Sequence, residues 1–365
     1  MHKLLFTAAL LPLLFVSCSG GKGSSSDAPD TLSLVGEMLI PYDSLRQPEG
    51  IYTVGDRLYL INASSVDTLI DIFTTDGHFV DRQLRRGQGP GEVALVYSSV
   101  FDQHNKRLIL TTQIGKVVAL EGMGTDRIAL QPLIDLTEKV SATNDSFPHL
   151  GFQLLPMADG TVIATNHSRN GVFAHLNNDG SLVGYAGEYL PLSDFGDGIP
   201  DYLVFNFLQP DCAISGDGKH FLATIGRADM IIFGEVDGDS VKTKVDYAAP
   251  PKGIAVELHE NYSSFRYSPD YTLNYIGLPA TSDNYAYVNH VGLTAEDYGN
   301  RMKAMVEGEI PAETEFRVYD FDGNLKHVVK LDCVARMIAV AADDSVIYAL
   351  TEDDENGIYV KRYEM

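Results

Sequence analysis

One strand-rich unit recurs along this chain, and that recurrence limits the fold more tightly than any other feature. The clearest copy runs from Gly50 to Leu84. It reads IYTV, a Gly55-Asp56 turn, RLYLIN, TLIDIFTT, an Asp76-Gly77 turn and HFVDRQL. Apolar runs of four to eight residues between such turns are strand signals, and a two-residue Asp-Gly turn joins antiparallel neighbours. Degenerate copies occupy Val100 to Leu130, Phe152 to Tyr185, Asp211 to Tyr247, Thr272 to Leu331 and Ala335 to Met365. Their starts lie about 50 to 60 residues apart, the repeat of a propeller blade rather than of a helical solenoid.

The last copy is one strand short. Thr31 to Ile40 (TLSLVGEMLI) is a spare apolar strand, and pairing it beside the C-terminal unit removes both exposed sheet edges. The expected fold is therefore all-β: a six-bladed β-propeller of four-stranded antiparallel blades, closed by an N-terminal strand and filling residues 31–365. Two stacked β-sandwiches compete with it, but they need a linker near the middle, and none stands out in composition. Gly187 to Asn206 and Ala248 to Tyr271 interrupt the pattern. Leu293 to Glu307 reads as a helix inserted between strands of the fifth unit. Thr294 can cap it, Asp297 sits three residues on, and Met302, Met305 and Val306 share a face.

Residues 1–17 read as an export signal. Lys3 gives a basic start, and Leu4 to Val16 are apolar except for Thr7 and Pro12, too short a run for a permanent membrane span. Val16-Ser17-Cys18 resembles a bacterial lipobox, in which the Cys18 thiol is lipidated. Phe15 stands where Leu is more usual. Residues 18–30 hold no large apolar side chain and suit a flexible tether. The expectation is an outer-membrane lipoprotein facing periplasm or cell surface, with the lipid as its only membrane contact.

The formal net charge is −23, from 50 acidic and 27 basic residues. Such a field repels phosphate backbones, so nucleic acid is excluded as a partner. After Cys18 only Cys212 and Cys333 remain. One bridge between them is chemically allowed in an oxidising compartment, but the repeat assignment places a unit between them and favours two buried thiols.

The most specific local motif is Arg85-Arg86-Gly87-Gln88-Gly89-Pro90-Gly91-Glu92. A phosphate loop needs a helix N-terminus to follow, and a Walker loop needs a Lys. Here Val93 to Phe101 leads into a strand and no Lys is present. A structural role follows: glycines permit positive φ where one unit crosses to the next. With Gly87, Gly89, Pro90, Gly91 and Glu92 in this order, the chain resembles the TolB-like six-bladed propeller lipoproteins of Bacteroides-type bacteria. Those proteins carry a G-x-G-P-G-E signature after the first blade, a lipobox and a similar mature length. A broader similarity is to NHL-type propellers. The resemblance covers the signal, Gly87 to Glu92 and the repeat spacing; it implies fold and export, and no established reaction or Tol-type partner.

Chemical constellations are sparse. Glu49-Gly50 stands where gluconolactonase-like propellers begin a metal site, but Ile51-Tyr52 departs from their Pro-x-Trp continuation, and one Glu is not a site. Ten histidines are scattered without metal spacing; His290 is the best candidate for a channel-facing imidazole, with a hydrogen-bonded structural role as its alternative. There is no G-x-S-x-G elbow. Asp194, Asp197 and Asp201 miss the EF-hand spacing and read as solvated loop acids. The richest cluster is Tyr262, Phe265, Arg266, Tyr267, Tyr271 and Tyr275, a plausible recognition surface or a set of rings packed on the rim. With 19 Tyr and no Trp, glycan binding stays open.

The sequence therefore favours a lipid-anchored binding or scaffold propeller for an envelope protein, peptide or glycan. Arg266, Tyr267, Tyr271, Tyr275 and His290 are its candidate contacts, and it needs no cofactor. A metal-assisted lactonase- or lyase-like enzyme on the same scaffold, with Glu49 as its weak metal candidate, is the alternative.

Overall fold

A computed structural model describes residues 29–141, 150–168, 170–188, 208–249, 254–258, 263–353 and 357–365. Two short strands come first, β1 (Asp30–Leu34) and β2 (Glu37–Ile40). Four sequential meanders follow. They are β3 (Gly50–Val54), β4 (Arg57–Ile61), β5 (Thr68–Thr74) and β6 (Phe79–Arg85); then β7 (Ser98–Asp102), β8 (Arg107–Gln113), β9 (Lys116–Glu121) and β10 (Ala129–Asp135). After a short helix α1 (Thr137–Ser141) come β11 (Leu150–Pro156), β12 (Val162–Ser168), β13 (Gly171–Leu176) and β14 (Leu182–Ala186). The fourth is β15 (Asp211–Ile214), β16 (His220–Ile225), β17 (Asp229–Asp237) and β18 (Ser240–Ala249). In each meander every strand pairs antiparallel with the next.

The remaining strands depart from this regularity. A separate hairpin, β19 (Ile254–Leu258) and β20 (Ser263–Tyr267), precedes β21 (Thr272–Tyr275), β22 (Ala280–Thr281) and β23 (Tyr285–Thr294). Helix α2 (Ala295–Val306) then intervenes before β24 (Thr314–Asp320) and β25 (Leu325–Leu331). The chain ends in β26 (Ala335–Val340), β27 (Val346–Asp353) and β28 (Gly357–Glu364). Thr294 caps α2 through its side chain, which accepts the Asp297 amide at 3.0 Å, and Met305 is the buried residue of its inner face.

Burial explains the strand composition. Strands β4 and β5 are almost continuously buried, whereas β6 is largely exposed; β16 to β18 repeat the gradient. A sheet covered on both faces needs apolar residues on both, so its inner strands lose the alternation that the rim strand keeps. Apolar layers fill the spaces between successive sheets. Leu108 and Leu110 pack with Ile61 and Leu69, and Ile231 and Phe233 pack with Val288 and Tyr319. Ala339 and Leu350 of the last sheet share a cluster with Ile51 and Leu60 of the first. The described chain is all-β in a propeller-like arrangement, and no described helix is long and apolar enough to cross a membrane.

The segment Thr31 to Ile40, expected as one strand on the last sheet, is two strands on two sheets. Strand β1 runs parallel to β25, with Thr31 opposite Val328, while β2 runs antiparallel to β28, with Glu37 opposite Arg362. Gly36 marks the step. A Cβ there would lie 2.6 Å from the Tyr363 ring, and its amide donates to Asp332 Oδ1 at 3.1 Å. Only a glycine lets the backbone come this close.

Candidate functional site

The first strands of several units, β3, β7, β15 and β26, come together around one small cavity. Ile51, Val100, Cys212, Pro279 and Ile338 help line it, and its volume is only about 30 Å³. A single parallel bridge between Ile214 and Asp102 pairs β15 with β7. Tyr52 donates or accepts a 2.7 Å hydrogen bond with Ser99, stacks on Phe101 at 5.8 Å, and has its phenol pushed up to about 12 by burial. A void this small holds about one water and no organic ligand.

A wider cleft of about 360 Å³ opens between the fourth meander and β21. Gln209, Asp211, Arg227, Tyr271, Leu273 and Tyr275 line it. Asp211 is the first residue of β15, opposite Thr224. Arg227 sits in the turn between β16 and β17. That turn rests directly on the β21 segment: a Cβ on Gly226 would lie 2.3 Å from the Tyr275 carbonyl oxygen, and the Gly226 carbonyl accepts the Asn274 amide at 3.2 Å. A side chain at position 226 would therefore push the two walls apart.

Burial raises the Asp211 carboxyl to about 6, and the positive charge of Arg227 only partly opposes it. The cleft thus holds a carboxyl whose charged form is disfavoured by burial, with Arg227 on the same lining. The Tyr271 phenol is also raised by burial, again with Arg227 opposing. Tyr275 is raised by burial and then by Asp229, which its hydroxyl contacts.

The structure divides the residues expected to form one recognition patch. Arg266 and Tyr267 are exposed on β20, where Arg266 pairs with Glu257 at 3.3 Å. Tyr271 and Tyr275 are buried, at 5% and 8% exposure, so they are cleft wall rather than loop surface. The Tyr267 and Tyr271 rings meet at 4.7 Å and link the two groups. His290 does not face the channel. It lies on β23, edge-on to Tyr275 at 5.3 Å, and lines a separate cleft of about 150 Å³ beneath α2 with Tyr298, Arg301 and Lys330. Burial, and then the Arg317 charge, lower His290 to about 4, so it is neutral near pH 7. Side chains of Tyr262 and Phe265, and residues Cys18, Asp194, Asp197 and Asp201, lie outside the described residues.

Glu49 is engaged locally: Oε1 accepts the Ser64 amide at 3.0 Å, and its own amide donates to the Ile61 carbonyl. Among the described residues no group of three or more His, Cys, Asp or Glu is placed to share a metal ion. In the Gly-rich loop only Gly91 has positive φ, at 78°. Gly87 and Gly89 are needed for another reason, because the Glu92 carboxylate folds against both. Cys212 and Cys333 are free, buried thiols.

Sequence reasoning missed Gln209, Asp211 and Arg227. One signal was available. Asp211 opens the inner strand of its unit, the same place that drew attention to Glu49 in the first unit.

No protein-family model matches this chain, and no curated protein matches it. Solved structures do. A "putative exported protein" of Bacteroides fragilis aligns with a TM-score of 0.52 and 13% identity over 91% of this chain and 98% of its own. The calcium-binding protein regucalcin of Agrobacterium tumefaciens gives a TM-score of 0.42 and 10% identity over 92% and 97%. A "putative 6-phosphogluconolactonase" of Bacteroides fragilis gives 0.37 and 13% over 87% and 83%. The first likeness concerns fold alone, and the other two are too distant to carry an argument.

Proposed function

We propose that this chain is an exported, lipid-anchored, six-bladed propeller that binds an envelope protein, peptide or glycan group in the cleft between its fourth and fifth units. The observation that carries the reading is the contrast between the small cavity of about 30 Å³ among the inner strands and the cleft of about 360 Å³ lined by Asp211 and Arg227. Ligand sites are concave, with a few polar groups that fix orientation. The lipobox-like Cys18, the tether and the exported protein of similar fold support the location. The pairing of β2 with β28, and the apolar cluster joining last sheet to first, support a closed ring of six blades. The experiment is capture from native envelope extract. The wild type should retain a ligand that the Asp211→Asn, Arg227→Gln double variant loses, and equal capture by both would overturn the reading.

Enzyme chemistry on the same scaffold is the second reading, and one observation favours it. A carboxyl near 6 in a cleft is in the range for general acid–base work. Lactone hydrolysis by the purified chain, abolished by Asp211→Asn, would establish it.

A further inference from the structure

We infer that Leu32, Val35, Met38 and Tyr42 form an apolar rim that rests on an uncharged lipid surface, the same bilayer that the lipid on Cys18 enters. The inference rests on the lipid-anchored reading above and adds a second membrane contact. Its basis is where these side chains fall. They are 42%, 85%, 47% and 50% exposed, and four of the fifteen exposed large apolar side chains among the described residues lie in this eleven-residue stretch. Apolar side chains scattered singly over a surface are ordinary, whereas a dense group of them marks a contact.

Closing the sheets does not require these four. Strands β1 and β2 are the edge strands of their two sheets, and other apolar residues of the segment do the packing. Leu34 lies against the cluster that holds Phe316 and Tyr363, while Leu39 and Ile40 belong with Ile51 and Val360. Leu32, Val35 and Met38 sit between and beside those residues in sequence and stay exposed. The fold alone therefore gives no reason for them to be apolar.

The chain itself brings this rim to a bilayer. Eleven residues, 18–28, precede the described segment, and a chain of that length spans at most about 40 Å. With Cys18 lipidated, the rim is the first folded part that the lipid holds near the membrane. A link this short gives a local concentration in the millimolar range, so a contact of four side chains is populated without high intrinsic affinity. Charge selects the kind of lipid. The chain carries −23, and the exposed Asp30, Glu37 and Asp43 lie in or beside the stretch. That field repels an anionic surface, so the match is an uncharged one such as phosphatidylcholine.

The experiment exploits a chain with no Trp. The full mature lipidated chain, carrying either Val35→Trp or Leu182→Trp, is reconstituted into phosphatidylcholine vesicles with and without brominated acyl chains. Leu182 is 38% exposed on β14, the edge strand of the third meander, and serves as the control. Bromine should quench the Val35→Trp variant and leave the Leu182→Trp variant unchanged. Adding Leu32→Asp and Met38→Asp to the first should cut its quenched fraction about tenfold, because two apolar side chains leave the contact. Val35 packs so little that its replacement spares the fold, and the single variants decide the matter if the triple one folds poorly. No quenching of Val35→Trp, or equal quenching of both, overturns the rim. Blue-shifted emission without quenching would mean that protein covers it, and would overturn the lipid surface too. A chain that takes up no labelled lipid at Cys18 removes the anchored reading and this one with it, whereas a labelled chain with an unquenched Val35→Trp loses the rim alone.

Discussion

Glu92 turns its carboxylate back over Gly87: a Cβ placed on Gly87 would lie 2.0 Å from Glu92 Oε2, and the same oxygen accepts the Gly89 amide at 2.9 Å. The Glu92 amide in turn donates to the Gly89 carbonyl at 3.0 Å, so the loop is clasped from both sides. The clasp sits between β6 and β7, where Arg86 bridges to Val93, and it fixes how the first sheet hands over to the second. What looks like an anion-binding glycine run is thus occupied by the chain's own carboxylate.

A double-mutant cycle tests this. Gly87→Ala should displace the Glu92 side chain and cost about 1 kcal/mol, the net worth of the lost hydrogen bond. Glu92→Ala should cost a similar amount. Because each removes the same interaction, the double variant should cost little more than Glu92→Ala alone. Denaturant unfolding measures all three, and strictly additive losses would show that the two residues act independently.

The meanders were legible because their turns are written in the sequence. Asp76-Gly77 and Asp322-Gly323 each place a positive-φ glycine between two apolar runs, which is a local signal. The division of Thr31 to Ile40 was not legible, because the reason Gly36 must be glycine is Tyr363, more than three hundred residues away in sequence. The cleft was hidden for the same reason. Asp211, Arg227 and Tyr271 come from three separate segments, and their walls meet through long-range contacts such as those of Gly226 with Tyr275 and Asn274. The tyrosine cluster was visible as composition, but which rings are buried depends on packing that spacing does not encode.

Removing residues 29–40 should damage two sheets at once. The β28 edge loses β2, and β25 loses β1. Two bare edges invite association, so the truncated chain should melt less cooperatively or aggregate on heating. Calorimetry with light scattering reads both effects. Melting identical to the intact chain would count against a ring closed through β2.

Membrane attachment should depend on one sulfur. With Val16-Ser17-Cys18 ending the apolar run, Cys18→Ala should abolish lipid labelling and release the protein into the soluble fraction. Fractionation at high salt removes charge-based adhesion from the comparison. Equal retention of both forms would sink the lipoprotein expectation.

The other two thiols should be silent until the chain unfolds. Cys212 and Cys333 are buried, and burial raises both thiols, so neither offers a ready thiolate. In a chain carrying Cys18→Ala, a thiol reagent should titrate no group in buffer and two in denaturant without reductant. Two missing thiols in denaturant would mean a bridge, and the packing of β15 relative to β26 would have to be redrawn.

Asp211 and His290 should oppose each other in the stability of the fold against pH. Asp211 moves from 3.8 to about 6, so the fold prefers its protonated form. Its contribution is fully present below pH 3.8 and is lost as pH rises through about 6. His290 moves from 6.5 to about 4, so the fold prefers the neutral ring. Its contribution is present above 6.5 and is lost as pH falls through about 4. Arg227 faces the first group, and Arg317 and Asp229 face the second. Each effect is at most on the order of 3 kcal/mol, and in the wild type they largely cancel between pH 4 and 6.5. Single variants expose them. Asp211→Asn should make stability climb with pH across that window, and His290→Asn should make it fall. Unfolding midpoints at half-unit pH steps give the slopes, and slopes of the same sign in both variants would show that the two groups do not carry the opposing shifts assigned to them.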